Sequence, residues 1–386
     1  MLSLGQPLAS ALLPITDSRG LVLAESIVAT EPVPPFSNTA MDGFAVRASD
    51  TSAGARLTIV GTVAAGAVFD GMLGAGQAVR IMTGAPIPEG ADAVVMVEHT
   101  TVAGDEVVVA EQVAPGQHVR PAGDDIVPGD EVLAAGIVVT PVVIGVLATL
   151  GRETVCVIRR PRVGVLSTGD ELVGGGGPLG PGQIRDSNRV ALLALVDEAG
   201  WEGVDLGLIA DDESAIESAL RSGAAACDVV LTSGGVSMGD FDFVKVVLDR
   251  IGEMRWMQVA IRPAKPLAAG TIGGTPVIGL PGNPVSSVVS FELFARPAIA
   301  RLAGRHVLDP PRLRAVAVDG LPRRSDGRTH FVRVVLRQTD DLSWEAGSSG
   351  GQGSHHTASL AAADGLAIVP DGAGIEPGQA VQVLPL

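Results

Sequence analysis

RVGVLSTGDEL, residues 162–172, is the stretch on which the fold turns. An apolar run from Arg162 to Ser167 leads straight into a short polar loop, Ser167-Thr168-Gly169-Asp170-Glu171. An uninterrupted apolar run of this length fits a strand buried on both faces. Downstream the pattern alternates. Asp186-Ser187 caps a predicted helix that runs to Gly200, followed by a strand from Asp205 to Ile209 and a helix from Asp212 to Arg221. DVVLT (228–232) reads as the next strand, with a helix from Phe241 to Ile251. A strand from Pro276 to Leu280 and a long helix from Pro284 to Leu302 complete the series. Strand–helix alternation of this kind predicts a parallel, doubly wound α/β sheet over 161–305.

The flanks read differently. Between Phe36 and Asp125, short strand-like runs at 57–60, 78–82, 93–98 and 106–110 alternate with Gly/Pro turns, which predicts a β-rich insert over 33–127. Runs at 315–318, 331–336 and 380–384 predict a C-terminal β-barrel or sandwich over 306–386. Residues 1–32 and 128–160 are expected to pack together as a linking layer.

The chain has 386 residues and a formal charge of −16, which argues against a general nucleic-acid binder. A small anion in a locally positive pocket remains compatible with that charge. Gly (50) and Pro (26) make up about a fifth of the residues without any period, so they read as turns and close backbone approaches. Of 27 basic residues only Lys245 and Lys265 are lysines. Cys156 and Cys227 stand far apart in apolar segments and read as buried thiols. No Lys or Arg precedes Arg19, so no signal-peptide basic region is present and a cytoplasmic location is expected. The uncharged run 132–150 raises the question of a membrane span. Thr140-Pro141 interrupts it as a helix cap followed by Pro at the first helical position, so no span is expected.

Three loops follow strands of the α/β unit: Ser167–Glu171, Ser233–Asp240 (SGGVSMGD) and Leu280–Pro284 (LPGNP). Ligands in open α/β sheets bind outside the carboxyl ends of the strands. None of the three loops matches a dinucleotide fingerprint or a P-loop. Carboxylates gather on the same edge, at Asp170, Glu171, Asp211, Asp212, Asp240 and Asp242. That is the hard-oxygen chemistry that holds Mg2+ together with phosphates. RPAKP (262–266) presents two cations between prolines, suited to an oxyanion.

With these segments in view, the chain resembles the molybdopterin molybdenumtransferase (MoeA) family, which includes the C-terminal domain of gephyrin. The matching stretches are NTAMDGFAVR (38–47), RIMTGAPIPEGADAVVMVE (80–98), RPAGDDI (120–126), VGVLSTGDEL (163–172), GQIRDSNR (182–189), LTSGGVSMGDFDFVK (231–245), RPAKP (262–266), GLPGNPVSS (279–287) and GQGSHHTASL (351–360). They cover nearly the whole chain in the family's order. The resemblance implies an α/β plus β multidomain fold: a molybdopterin-binding α/β domain, a β-rich insert, a linking layer and a C-terminal β-barrel. It implies a homodimer with a cleft between the α/β domain of one subunit and the insert of the other. The implied activity is insertion of molybdate into adenylyl-molybdopterin with Mg2+-dependent release of AMP. The implied partners are those two substrates, a second copy and the molybdopterin adenylyltransferase.

The resemblance also carries residue roles. Asp42, Thr83, Arg120 and Asp125 would face the substrate from the insert. Glu171, Asp211 and Asp242 would hold Mg2+ or order the phosphates. Arg262 and Lys265 would receive molybdate or phosphate oxygens. Gly234, Gly235, Ser237, Pro281, Gly282, Asn283 and Pro284 would shape the loops around the pterin, with Ser354 contributed by the C-terminal motif. Many relatives have Lys where this chain has Gln258 and Arg262, and Tyr where it has Phe44. A non-catalytic scaffold and an ATP-using adenylyltransferase are the competing readings. Presence of Asp42, Glu171, Asp211 and Asp242 argues against the first, and the extra domains argue against the second.

Overall fold

A computed structural model of the chain describes residues 5–236, 243–306 and 311–386. The chain divides into two compact units. One gathers Gly20–Val22 and Cys156–Leu386 with the residues leading up to Leu12; the other holds Leu13–Arg19 and Leu23–Val155.

The first unit contains the predicted sheet. Strands Glu202–Ile209, Arg162–Thr168, Val229–Ser233 and Thr275–Leu280 lie side by side in that order, all parallel. Side chains alternate between its faces, as the two-residue strand period requires. Val229 and Leu231 enter one core with Val163, Leu192, Val196 and Ile299. Val230 enters the other with Leu166, Ile216, Leu220, Val247 and Val277. Helices Asn188–Glu198, Glu213–Ala226 and Phe243–Ile251 supply the facing side chains.

Two features depart from the sequence reading. The sheet is extended by an antiparallel hairpin, Glu253–Gln258 and Pro266–Ile272. Glu253 and Arg255 are exposed on its outer strand, and this charge hid the strand. The predicted helix 284–302 is divided into Pro284–Ser290, a π turn at Phe291–Ala295 and Arg296–Leu302. Pro297 has no N–H to donate back along the helix, and a wider turn accommodates that loss. Buried Glu292 accepts two bonds from Arg296, at 2.6 and 2.9 Å, across this turn.

The C-terminal strands close into a five-stranded barrel. Thr329–Gln338 pairs with Trp344–Ser348, then Leu313–Ala317, Ala380–Pro385 and Gly365–Val369, which returns to Thr329–Gln338. Its interior holds Ala315, Ala317, Val334, Ala367, Val381 and Val383. Small residues suit the tight interior of so small a barrel.

The second unit is built on a six-stranded sheet in the order Ala93–Met96, Gly43–Val46, Gln77–Ile81, Arg56–Val63, Glu106–Val109, Thr100–Ala103. Phe44, Val46 and Val95 fill one face; Ala45, Val79 and Val94 fill the other. The expected cap is present: Thr140 Oγ1 accepts from Val143 N at 3.3 Å at the start of helix Pro141–Thr149. Among the described residues no helix is long and apolar enough to cross a membrane. Cys227 is buried as expected, whereas Cys156 is partly exposed; the two form no disulfide.

One ion pair pins the edge of the α/β sheet. Arg159 grips Asp228 through two bonds of 2.7 and 2.5 Å, and Arg162 N donates to the same carboxylate at 2.9 Å. Burial alone would raise the Asp228 pKa, but these donors outweigh it and hold the group below the usual carboxylate range. Its stabilising contribution is therefore present above the unfolded-state value of about 3.9 and lost as pH falls through the lower folded value. Asp228→Asn should cost about 1–3 kcal/mol at pH 7. In urea melts the gap to wild type should close in strong acid; a gap that persists there would refute this account.

Candidate active site

The carboxyl ends of the parallel strands open into a cleft of about 630 Å3. It is lined by Thr168, Gly169 and Glu171 from the first loop, Asp211 from the second, and Ser233, Gly234 and Gly235 from the third. Gly282, Asn283 and Pro284 complete that edge, with His355 arriving from the C-terminal part of the chain. The loops that supply Thr168–Glu171, Ser233–Gly235 and Gly282–Pro284 are the three singled out in the sequence, and a fourth brings Asp211, one of the grouped carboxylates.

Local chemistry explains the loop shapes. Gly235 has a φ of +71°, and a Cβ there would stand 2.2 Å from Val244 Cβ. Only glycine lets this loop pass so close to helix Phe243–Ile251. Asn188, at the first turn of the opposite helix, donates to Ser233 Oγ at 2.8 Å and to Gly282 O at 2.7 Å. One carboxamide thus ties two loops from neighbouring strands together. Beneath it, Asp186 accepts from Ser167 Oγ at 3.0 Å and from Arg189 Nε at 2.8 Å. Asp186 also accepts from Arg189 N at 3.3 Å, so the helix is capped by Asp186 and not by Ser187.

The acids divide by role. Asp212 Oδ1 accepts from Ala215 N at 2.8 Å and from Ser214 Oγ at 2.5 Å, which makes it the cap of helix Glu213–Ala226. Asp170 and Asp211 bind each other's backbone: Asp211 N donates to Asp170 Oδ1 at 3.0 Å and Asp170 N to Asp211 Oδ2 at 3.4 Å. Burial pushes the Asp211 pKa up, against the hydrogen bond from Asp170 N; the nearby Asp170 and Glu171 charges raise it further. Asp211 and Glu171 both line the cleft. Among the described residues no three His, Cys, Asp or Glu side chains form a ready metal cage. Ser237, Asp240 and Asp242 lie outside the described residues.

The cationic loop has a different setting. It closes the hairpin through Val259 N to Lys265 O at 2.8 Å. Ile261 and Arg262 pair with Thr329 and His330 of the barrel. Lys265 lines a separate cavity of about 490 Å3 together with Lys245 and Trp256, and Arg262 is absent from the cleft lining. Ser354 meets the cleft edge through its backbone, accepting from Val285 N at 3.1 Å. Pro281 is buried behind Gly282.

In the second unit the three polar turns come together. Asp42 Oδ1 accepts from both Thr83 N and Thr83 Oγ1 at 2.7 Å. The Thr83 hydroxyl first and its N–H second hold Asp42 below the ordinary carboxylate range, so it is ionised at neutral pH. Gly43 beside it admits no side chain, because a Cβ would lie 2.0 Å from Val95 O. Val119-Arg120 pairs with Asn38-Thr39, and Asp125 N donates to Val33 O at 3.0 Å. Asp42, Thr83 and Arg120 are therefore carried on adjoining turns of one small surface.

Four residues escaped the sequence reading as site candidates. Asp186 read as a helix cap and Asn188 as a helical residue. His355 stands in the GQGSHHTASL stretch with no role assigned to it. Arg333 is one of many arginines in the sequence, yet it is fully buried. Its guanidinium donates to Ser359 Oγ at 3.1 Å and to the carbonyls of Gly351 at 2.6 Å and Gly353 at 3.1 Å. Nη1 has no partner among the described residues, and burial pulls the group's pKa down. The loop that presents Ser354 and His355 is thus wrapped around a desolvated cation. No spacing rule announces that; only burial does.

Comparison with known proteins places these loops in a lineage. Residues 2–151 match the MoeA N-terminal region (domain I and II), 164–301 a probable molybdopterin binding domain, and 319–386 the MoeA C-terminal region (domain IV). The chain is 40% identical over 351 residues to the molybdopterin molybdenumtransferase of Haemophilus influenzae, covering 90% of this chain and 87% of that one. It is 37% identical over 381 residues to the Bacillus subtilis protein of the same name, with 96% and 88% covered. The solved molybdopterin biosynthesis MoeA protein of Pyrococcus horikoshii superimposes with a TM-score of 0.85 at 30% identity, covering 100% of this chain and 97% of that one. Matched in sequence from the polar turns of the insert to the closed barrel, and in fold along its whole length, the chain belongs to the MoeA family.

Proposed function

We propose that this protein is a molybdopterin molybdenumtransferase acting in molybdenum cofactor biosynthesis. It takes adenylyl-molybdopterin and molybdate, breaks the pyrophosphate link, releases AMP and leaves molybdenum on the pterin dithiolene. The observation that carries this reading is the cleft, where three Gly-containing strand-end loops meet two acids, Glu171 and Asp211. Backbone N–H groups at such loop-to-helix junctions receive phosphate oxygens.

Mg2+ fits the donor set as a shared ion. Glu171 and Asp211 offer hard oxygens but no closed cage, which matches an ion that arrives with phosphates and keeps much of its own water. Burial raises the Asp211 pKa and the neighbouring Asp170 and Glu171 charges raise it further; a cation relieves that charge repulsion. Glu171 and Asp211 would hold it, with Asp242 in the same role; when bound it spreads the charge that develops on the phosphate oxygens. Gly234, Gly235, Gly282, Asn283 and Pro284 cradle the pterin and phosphates, flanked by Pro281 and Ser237. Arg262 and Lys265 receive molybdate or phosphate oxygens, and Ser354 joins the cofactor-binding edge from the C-terminal motif. Asp42 and Thr83, with Arg120 and Asp125, act from the insert. A cytoplasmic setting and four structural parts (1–32 with 128–160, 33–127, 161–305 and 306–386) go with this reading.

A homodimer completes it, with the insert turns of one protomer facing the cleft of the other. Helix Pro141–Thr149 carries no charge and buries only Leu147 fully, while Val142 is 76% exposed. An apolar helix left open in this way calls for a covering surface, here a second copy.

Three outcomes are expected. AMP release from adenylyl-molybdopterin with Mg2+ should require molybdate, and it should fall about a hundredfold or more in Glu171→Gln and Asp211→Asn. Release that ignores molybdate would contradict the assignment. Asp42→Ala and Glu171→Ala proteins should each be inactive, but mixed and reassembled they should recover about a quarter of wild-type activity. No recovery would place the whole site in one protomer. Val142→Glu should sediment as a folded monomer; an unchanged dimer would remove this helix from the interface.

A further inference from the structure

The cleft is lined by acids, and its permanent cation comes from a loop that has so far had no role. Glu171, Asp186 and Asp211 line it, yet among the described lining residues Arg185 is the only Arg or Lys. A pyrophosphate entering the cleft therefore meets one guanidinium, whose planar fork suits phosphate oxygens.

Arg185 ends an exposed strap. Residues 174–185 are all exposed, and 174–183 hold six glycines and two prolines. Both ends of the strap are tied down beside the cleft. Leu172–Val173 pairs in parallel with Ile184–Arg185. Ile184 N donates to Glu171 O at 2.8 Å, and Asp186 N donates to Val173 O at 3.1 Å. The far part is a small braced turn. Gly180 N donates to Gln183 Oε1 at 2.9 Å and Gln183 N to Gly180 O at 3.2 Å, while Pro178 and Pro181 fix their own φ. Leu179 stands exposed at its tip. Between base and turn lie four successive glycines, 174–177, where an added Cβ would meet nothing within 4 Å. A braced turn on a glycine run in open space is a hinged flap. Arg185 Nη2 donates to Gly177 O, so the cation of the cleft is tethered to its own hinge.

We infer that Arg185 is an anion-sensing latch: its guanidinium exchanges Gly177 O for phosphate oxygens in the cleft, and the released strap 174–183 closes over them. The inference rests on the proposed function for the nature of the anion, and deepens it with a residue and a closing motion. A phosphate oxygen is a stronger partner for a guanidinium than a neutral carbonyl, so the anion favours the exchange. That differential affinity is what moves the strap. A closed strap excludes water from the pyrophosphate link and strengthens each charge interaction around it.

The test is rapid-quench hydrogen exchange on the purified full-length protein, with two separate probes: inorganic pyrophosphate plus Mg2+, and adenylyl-molybdopterin plus Mg2+. Saturation with either probe should slow exchange across 174–184 about fivefold or more. In Arg185→Met that protection should disappear even at saturation. Calorimetry should show both probes bound about tenfold more weakly by Arg185→Met, with Arg185→Lys in between. A second variant leaves Arg185 in place and stiffens the hinge. Gly174, Gly176 and Gly177 have no positive φ and room for a Cβ, so Gly174→Ala, Gly176→Ala and Gly177→Ala combined should fold and melt as wild type. Its protection at saturation should fall by about half or more, because alanine narrows the freedom of the chain. Four results would overturn the inference: neither probe binding, exchange at 174–184 unchanged with probe bound, full protection in Arg185→Met, or full protection in the triple alanine variant. The two readings separate. Closure on pyrophosphate without any molybdenum transfer would sink the transferase assignment alone. Molybdate-dependent transfer with exchange of the strap unchanged would sink the latch alone.

Discussion

The cleft depends on one carboxamide. Asn188 stands at the start of a helix and spends both its N–H donors across the sheet edge, one on Ser233 Oγ and one on Gly282 O. Those two loops follow adjacent parallel strands, Val229–Ser233 and Thr275–Leu280. Glycines at their turns, Gly234-Gly235 in one and Gly282 in the other, offer no side chain to set the distance between the two loops. The bracket does so. Its own position is fixed from below, where Asp186 is held by Ser167 and Arg189. Sheet, helix start and loops therefore form one hydrogen-bonded frame, and a frame of this kind is what holds reacting groups in register.

Charge is arranged around that frame in compartments. The chain is strongly acidic overall, and the cleft adds to this with Asp170, Glu171 and Asp211 in mutual repulsion. Cations sit at its margins: Arg262 and Lys265 on the hairpin loop, Lys245 on helix Phe243–Ile251, and Arg333 buried on the outer face of the barrel beneath the 351–356 loop. The barrel has a mechanical part in this. Strand Thr329–Gln338 pairs with Ile261-Arg262 at one end and carries Arg333 in its middle. A single strand thus steadies both the cationic loop and the loop that brings His355 to the cleft. Under the proposed function, an anionic substrate entering such a site would meet acids suited to a divalent ion and cations suited to its oxygens.

Much of this was legible in the sequence, and the exceptions have physical causes. Apolar strands such as RVGVLS and DVVLT can only be central strands of a covered sheet, and the polar loops after them can only lie at one edge. The cap at Thr140 and the Gly-rich turns of the insert were equally plain. The hairpin 253–272 was not, because Arg255, Glu253 and the RPAKP loop masked its alternation. The π turn was not, because Pro297 breaks a helix without saying where the turn will widen. Asn188 and Arg333 were invisible for a deeper reason. Their importance lies in partners 45 and 94 residues away for Asn188, and in burial for Arg333. No local pattern records either. Asp212 stands at the start of a predicted helix, where a cap is expected, and it is the cap.

The account makes the Asn188 bracket the support of substrate binding, so the most direct test is to cut it without changing its shape. Asn188→Asp keeps the size of the side chain but replaces the amide donor with a carboxylate oxygen facing Gly282 O. Calorimetric titration of adenylyl-molybdopterin into wild type and this variant, both shown folded by matching thermal melts, gives the answer. The account predicts affinity weakened by about tenfold or more, as expected when the hydrogen bonds of a half-buried bridging donor are lost. Equal affinity in the two proteins would show that the loops hold their places without the bracket, and the central claim would fall.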